Sequence, residues 1–553
     1  MTRQDAIPSF VRKNHATLFF GAWILLNLLQ AARMELLDDE AYYWIYSRYL
    51  SWGYFDHPPL VALLIRAGTF FFRNEWGVRS LFLVCSTATL FSIRALIPRR
   101  NDLLFYALVG GMAVLQFGGI LAVPDIPLLL FTAVFFLAYR RFLRSMNTLN
   151  SLLLGAVTAL LCYSKYQGIL LPLFTIASNP RLLGRRQTWL AAFTGLLLFL
   201  PHLYWQFQHG FLSVQYQLFG HKADHYRLRF TLEYLLGQLL LTGPLAGPLL
   251  LWTAFTRKPQ DALEKALKFS VAGTTVFFLF CTLRGKVEAN WTLSALVGVI
   301  VLSHQVLQEK AVLRTWIYRL LPFSLLLILA LRTYMIIDTA PSLHIPKDEF
   351  HGNKRWVEVL RQQSGGVPLV FLDSYQKASK YWFYSGIKAM SLNTPDYRRN
   401  NFNLWPLEDS FIGKKVYLVG PRSDKILDEK INAPGWEQDG GKMIGAYFSF
   451  SKLQIFPQGP SSCKILSPPS YLFLFRQAPY DTIAVQWAVF KKDSLLGYYP
   501  AGLRLGEIRE SPCVLRTLAP SLPKGTYILR YVIPSCLPGR PSLNSEGVIL
   551  SAE

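Results

Sequence analysis

The feature that most constrains this chain is a series of apolar segments, each about as long as a bilayer core is thick. A spanning helix needs about 20 predominantly apolar residues, range about 17–25. Such segments recur near 16–33, 79–97, 103–121, 127–143, 149–164, 168–179, 188–206, 231–254, 267–283, 291–308 and 315–336, eleven in all. The pair near 149–164 and 168–179 is short. Arg12 and Lys13 before the first segment, and Ala31-Ala32 after it, give it some likeness to a cleaved signal peptide. The acidic cluster that follows at once belongs instead with an anchored helix.

Charge decides how the segments sit. The chain has 57 Lys+Arg against 34 Asp+Glu, a formal charge of +23. Such an excess marks either a partner of polyanions or the cytoplasmic side of a membrane protein. Six clusters of basic residues fall in every second loop. They are Arg3, Arg12 and Lys13; Arg99 and Arg100; Arg140, Arg141 and Arg144; Arg181, Arg185 and Arg186; Arg257, Lys258, Lys265 and Lys268; and Lys310, Arg314 and Arg319. By the positive-inside rule the N-terminus is cytoplasmic and everything after residue 337 lies outside. No basic stripe with interleaved aromatics occurs, which argues against nucleic acid as a partner. Six cysteines in 553 residues exclude a disulfide-built scaffold.

The expected architecture is a polytopic α-helical membrane domain over 1–340, in the inner or cell membrane, followed by an extracytoplasmic soluble region over 341–553. The latter reads as α/β over 341–460 and mostly β over 461–553. Val367–Leu372, Lys415–Val419, Tyr471–Phe475, Ile483–Phe490 and Thr526–Ile533 are β-type runs, and a helix is expected near 374–385. Cys463, Cys513 and Cys536 lie in this region, and no pairing among them is assigned.

The residues that carry chemistry gather in the outer loops. Loop one, about 34–78, contains MELLDDEAYYW and then YFDHPPL, with amphipathic stretches near 40–50 and 59–72. It places Asp38, Asp39 and Glu40 directly after the first span. Loop two is Ala122-Val123-Pro124-Asp125-Ile126-Pro127. Loop three holds Ser164-Lys165-Tyr166-Gln167, and loop five Arg284 and Lys286. A single carboxylate at a span end is more often a solvated helix terminus, and Asp125 could cap the helix that begins at Pro127. Three consecutive acids with apolar flanks are harder to explain that way, because ionisable groups at membrane depth are costly and mark function by default. A carboxylate there could deprotonate a hydroxyl as general base. Several cations opposite it could hold a phosphate at headgroup level. Neither a GxxxxGK[ST] loop nor a GxGxxG unit is present, so a soluble nucleotide donor is unsupported. His57, His202, His221 and His225 lack zinc-site spacing.

LDDEAYYW, YFDHPPLVALL, VPDIPLLLF and a Ser-Lys-Tyr at a span end together resemble the dolichyl-phosphate-mannose protein mannosyltransferase-like superfamily. These are GT-C glycosyltransferases, a group that includes bacterial aminoarabinose lipid A transferases. The resemblance covers about residues 10–340. It implies a GT-C membrane domain of about eleven helices that moves a hexosyl or pentosyl group from a polyprenyl-phosphate-linked donor, with inversion, to a hydroxyl of an envelope lipid, glycan or protein. It maps the base onto Asp39, with Glu40 supporting it and Asp125 lining the cavity. Asp38 extends the family's Asp-Glu motif, which leaves its register open. Lys165 is the implied phosphate contact. Tyr43, His57 and Tyr166 are further substrate-binding candidates, and topology adds Arg284 and Lys286. No cofactor is required; a divalent cation near the carboxylates is compatible with the chemistry. Membrane lipids are the remaining expected partners. The competing class is a lipid or sugar transporter, which would carry charges near the midplane and an inverted repeat; here the charges lie at one face.

Overall fold

A computed structural model describes residues 9–220, 225–338, 348–422, 427–433, 435–436, 438–459, 461–492 and 494–552. The chain forms two compact units, Met1–His351 and Gly352–Glu553.

The first unit is helical. Five helices are long and apolar enough to cross a membrane: Lys13–Arg33, Glu75–Leu96, Asp125–Arg144, Arg186–Gln208 and Ala311–Ile336. A sixth candidate is the pair Leu228–Thr242 and Gly247–Thr256, bent by 93°. The bend falls at Gly243, whose φ of 140° few side chains tolerate, and at Pro244, which cannot donate to a helix. Shorter or more polar helices meet the other expected segments. They are Asp102–Gly111 with Ala113–Gly118, Thr148–Ser164, a 3₁₀ turn Tyr166–Ile169 running into Leu170–Ser178, Ala262–Cys281, and Ala295–Glu309. Every apolar segment is therefore helical, although length and composition alone single out only five or six.

Side-chain amides and a carboxylate set several helix starts. Asn74 accepts from the Gly77 N–H, Asn101 from Leu104, Asn147 from Asn150 and Asp261 from Glu264. Helix Ala295–Glu309 is buried on all sides from Ala295 to Leu307, as an evenly apolar helix must be. By contrast, Phe193, Leu196, Leu197, Leu326 and Leu329 point outward. Helices whose backbone is satisfied internally and whose outer surface is leucine and phenylalanine suit hydrocarbon as solvent. Loop one forms two helices, Asp38–Arg48 and Leu60–Phe71, where its amphipathic stretches were expected.

The second unit begins with a mixed sheet of five strands. Their order is Ala389–Leu392, Leu369–Leu372, Val416–Pro421, Asp439–Ile444 and Glu429–Lys430. Leu369 pairs in parallel with Ala389 and with Tyr417, and helix Tyr375–Ser385 makes the crossover between the first two strands. Two antiparallel sheets follow. One contains Cys513–Arg516, Ser462–Leu466 and Gln454–Pro457. The other is built on Ala484–Lys491, Ser494–Arg504 and Gly525–Ile533. Ile455, Cys463 and Ile465 of one share a core with Val485, Trp487, Leu529 and Tyr531 of the other. Trp487 and Tyr531 are cross-strand partners stacked at 3.6 Å.

One expected strand is not a strand. Tyr471–Phe475 lies largely in the short helix Pro469–Leu474. Pro468 and Pro469 precede it, and proline at the first turn presets helical φ without sacrificing a hydrogen bond. Tyr471 and Phe475 are still core residues, one helical turn apart. The six cysteines are unpaired.

Candidate active site

The acidic run opens helix Asp38–Arg48, where the positive end of the helix dipole accommodates anions. Its three members have different surroundings. Glu40 is completely buried. Its Oε1 accepts from Arg79 Nε at 2.8 Å and from the Ala122 N–H at 2.9 Å. Its Oε2 accepts from the Leu37 N–H at 3.0 Å and from an Arg79 terminal nitrogen. Arg79 has no solvent exposure, and its other N–H groups bind the carbonyls of Ala31, Met34 and Glu35 at 3.2, 2.6 and 2.8 Å. The pair thus ties the end of the first span to loop one, to helix Glu75–Leu96 and to loop two. Asp38 is half-buried, and its N–H donates to Glu349. Asp39 is exposed.

A second buried ion pair holds the far end of loop two. Asp125, the first residue of helix Asp125–Arg144, accepts from Lys165 Nζ at 2.8 Å on one oxygen and from Asn290 Nδ2 at 3.3 Å on the other. Lys165 directly follows helix Thr148–Ser164, and Asn290 lies in the 3₁₀ turn Ala289–Thr292. Loop two is therefore gripped at Ala122 by loop one and at Asp125 by loops three and five. A short loop with two prolines has few ways to move once both ends are fixed.

A third cluster lies inside loop one. The buried carboxylate of Asp56 accepts from the hydroxyls of Tyr42 and Tyr46, both at 3.1 Å. Burial first, and then the Asp56 charge, push the Tyr46 phenol well above its ordinary range, so it stays a donor. Tyr43 packs edge-on to His57 at 5.5 Å. Gln217, in helix Leu212–Phe219, donates to the Asp56 carbonyl at 2.9 Å. His202 contacts the Trp52 carbonyl at 2.6 Å, and Gln206 joins it to the Tyr166 hydroxyl.

The candidates divide accordingly. Glu40, Asp125 and Lys165 are brought together around loop two. Tyr43 and His57 sit in the aromatic cluster of loop one, and Tyr166 meets the His202–Gln206 pair. The loop-five cations stay apart from the buried carboxylates: Lys286 pairs with Glu288 at 2.7 Å on the surface, and Arg284 is exposed. His221 lies outside the described residues. Among the described residues no group of three His, Cys, Asp or Glu side chains converges. Sequence reasoning missed Arg79, Asp56 and Asn290. Arg79 carried a usable signal, an ionisable side chain at the edge of an apolar span. Asp56 takes its role from Tyr42 and Tyr46 of the same loop, and Asn290 from Asp125, 165 residues away.

Loops tied together by buried ion pairs, beside a bundle of apolar helices long enough to cross a bilayer, define an integral membrane protein. Residues 56–205 match the family model described as dolichyl-phosphate-mannose-protein mannosyltransferase. The chain is 25% identical over 316 residues to lipid A galacturonosyltransferase RgtD of Rhizobium johnstonii; the alignment covers 53% of this chain and 65% of that protein. The crystal structure of ArnT from Cupriavidus metallidurans in the apo state matches with a TM-score of 0.57 at 13% identity, covering 78% of this chain and 98% of ArnT. Its form bound to undecaprenyl phosphate matches with the same TM-score at 14% identity, covering 77% and 98%. The chain has the ArnT-like fold and is similar to the mannosyltransferase-like glycosyltransferases.

Proposed function

We propose that the chain is an integral-membrane glycosyltransferase that moves a sugar from a polyprenyl-phosphate donor to a hydroxyl of an envelope lipid at the outer face. The convergence of loops one, three and five on loop two carries this reading. It sets an exposed carboxylate, Asp39, next to a buried one, Glu40. The relatives support it: one is a lipid A galacturonosyltransferase, and ArnT has been seen with undecaprenyl phosphate.

In this reading the donor tail stays in lipid and its phosphate sits at headgroup level. The acceptor oxygen attacks the anomeric carbon from the face opposite the phosphate. Asp39 takes the hydroxyl proton as the C–O bond forms, and the bond to phosphate breaks with its electron pair on the phosphate oxygen. The sugar ends with inverted configuration. Glu40 and Lys165 are positioning residues: Glu40 fixes the helix that bears Asp39, and Lys165 orients Asp125. Arg284 and Lys286 remain candidates for the departing phosphate, because exposed cations can turn toward an anion. Substitution at carbon by an oxygen nucleophile transfers no net electrons and calls for no redox cofactor.

Mass spectrometry of envelope lipids tests the reaction. A strain lacking this chain is expected to lose one glycosylated lipid species, restored by the wild-type chain and not by Asp39→Asn. An unchanged lipid profile, with a changed glycan or protein profile, would overturn the lipid acceptor. The orientation has its own test. A reporter fused after residue 340 is expected to read extracytoplasmic, and a cytoplasmic signal would remove the site from the outer face.

A further inference from the structure

Two adjoining spaces in the helical unit, the second of them among the basic-loop residues 178–181 and 259–265, have no role in the proposed reaction. The first is an apolar cavity of ≈ 300 Å³ among helices Asp125–Arg144, Thr148–Ser164, Leu170–Ser178 and Arg186–Gln208. Its walls include Phe135, Leu154 and Phe199. Two lining hydroxyls, Thr175 and Thr188, are buried without a hydrogen-bond partner. A third, on Tyr139, lies beside Ser178 and Asn179 without a well-aligned bond. The second space is an open polar pocket of ≈ 470 Å³ that begins at Ser178 and Asn179 and includes Arg181 and Lys265. Its one acid, Asp261, already accepts from the Glu264 N–H at 2.7 Å.

We propose that these two spaces form one site for an anionic diacyl phospholipid of the basic-side leaflet. An acyl chain fills the apolar cavity, an ester carbonyl accepts from the stranded hydroxyls, and the phosphate lies between Arg181 and Lys265. Each part answers a different observation. Buried hydroxyls lacking acceptors are costly, and a chain bearing esters supplies what they lack. A polyprenyl tail offers these hydroxyls no acceptor, whereas an acyl ester does. Basic pockets between helices on the cytoplasmic side suit anionic headgroups by charge. The role expected is to hold the helices that carry Asp125 and Lys165 in register.

The test uses the full-length chain in detergent, with native mass spectrometry as the readout. In mixed micelles holding equal phosphatidylglycerol and phosphatidylcholine, one phosphatidylglycerol is expected to stay bound in preference. Arg181→Ala with Lys265→Ala is expected to weaken that binding about tenfold. Arg319→Ala, on another helix, is expected to leave it unchanged. Inorganic phosphate is expected not to compete. Thr188→Val, which keeps both cations, is expected to lower retention of diacyl lipid. Equal occupancy by the two lipids in the wild-type protein overturns the proposal, as does full retention by the double variant or displacement by phosphate alone. If the double variant does not survive purification, the wild-type competition decides. No sugar transfer is read, so this result stands apart from that of the proposed reaction.

Discussion

Asp39→Asn is expected to leave the protein folded in the membrane and to lower sugar transfer by about 10²–10⁴-fold, the usual contribution of a positioned general base. The amide keeps the size and hydrogen-bonding shape of the carboxylate but cannot accept the acceptor's proton at neutral pH. Asp39 is exposed, so the change is not expected to disturb the buried pair next to it. The effect should fall on kcat, with donor binding little altered. The measurement is transfer in vesicles containing the variant, with its thermal midpoint as the control for folding. Full activity would remove Asp39 as the base and turn attention to Asp56 or Asp125, both buried carboxylates near the same loops.

The second large effect is on stability. Arg79→Met is expected to destabilise the helical unit by about 3–5 kcal/mol, because it strands a buried carboxylate with no counter-charge. Glu40 would keep only the N–H groups of Leu37 and Ala122, and three backbone carbonyls would lose their donor. Arg79→Lys should recover little, since an ammonium cannot span five acceptors in a planar fork. The double variant Arg79→Met with Glu40→Gln should be more stable than Arg79→Met alone, because no uncompensated charge is left. Thermal midpoints in detergent measure all three. A single Arg79→Met variant as stable as wild type would show that the ion pair does not hold the loops. Activity is expected to fall with stability in these variants, whereas Asp39→Asn separates the two; that contrast tells a positioning residue from a catalytic one.

Much of the helical unit was legible because one physical constraint dominates it. Lipid offers no hydrogen bonds, so a spanning segment must be apolar and helical, and eleven such segments can be counted in a single sequence. Breaks within segments were less legible. The 93° bend at Gly243-Pro244 lies inside what reads as one apolar run. The Tyr471–Phe475 run has strand-like composition, yet the two prolines before it favour a helix start and tertiary packing uses its aromatic residues at helical spacing.

The candidate site shows the same division. The sequence by itself determined the apolar frame, the side on which basic loops gather, and the cluster of unusual acids in loop one. It could do so because burial in lipid and charge placement act on local composition. Only the tertiary structure decided which acid is a structural anchor and which is exposed. Asp38, Asp39 and Glu40 are adjacent in sequence and share a helix turn, so nothing local tells them apart. Arg79, 39 residues away, neutralises Glu40, while Lys165 and Asn290, 40 and 165 residues from Asp125, fix the second carboxylate. A buried charge requires a partner, and the partner can come from anywhere in the chain that the fold brings near.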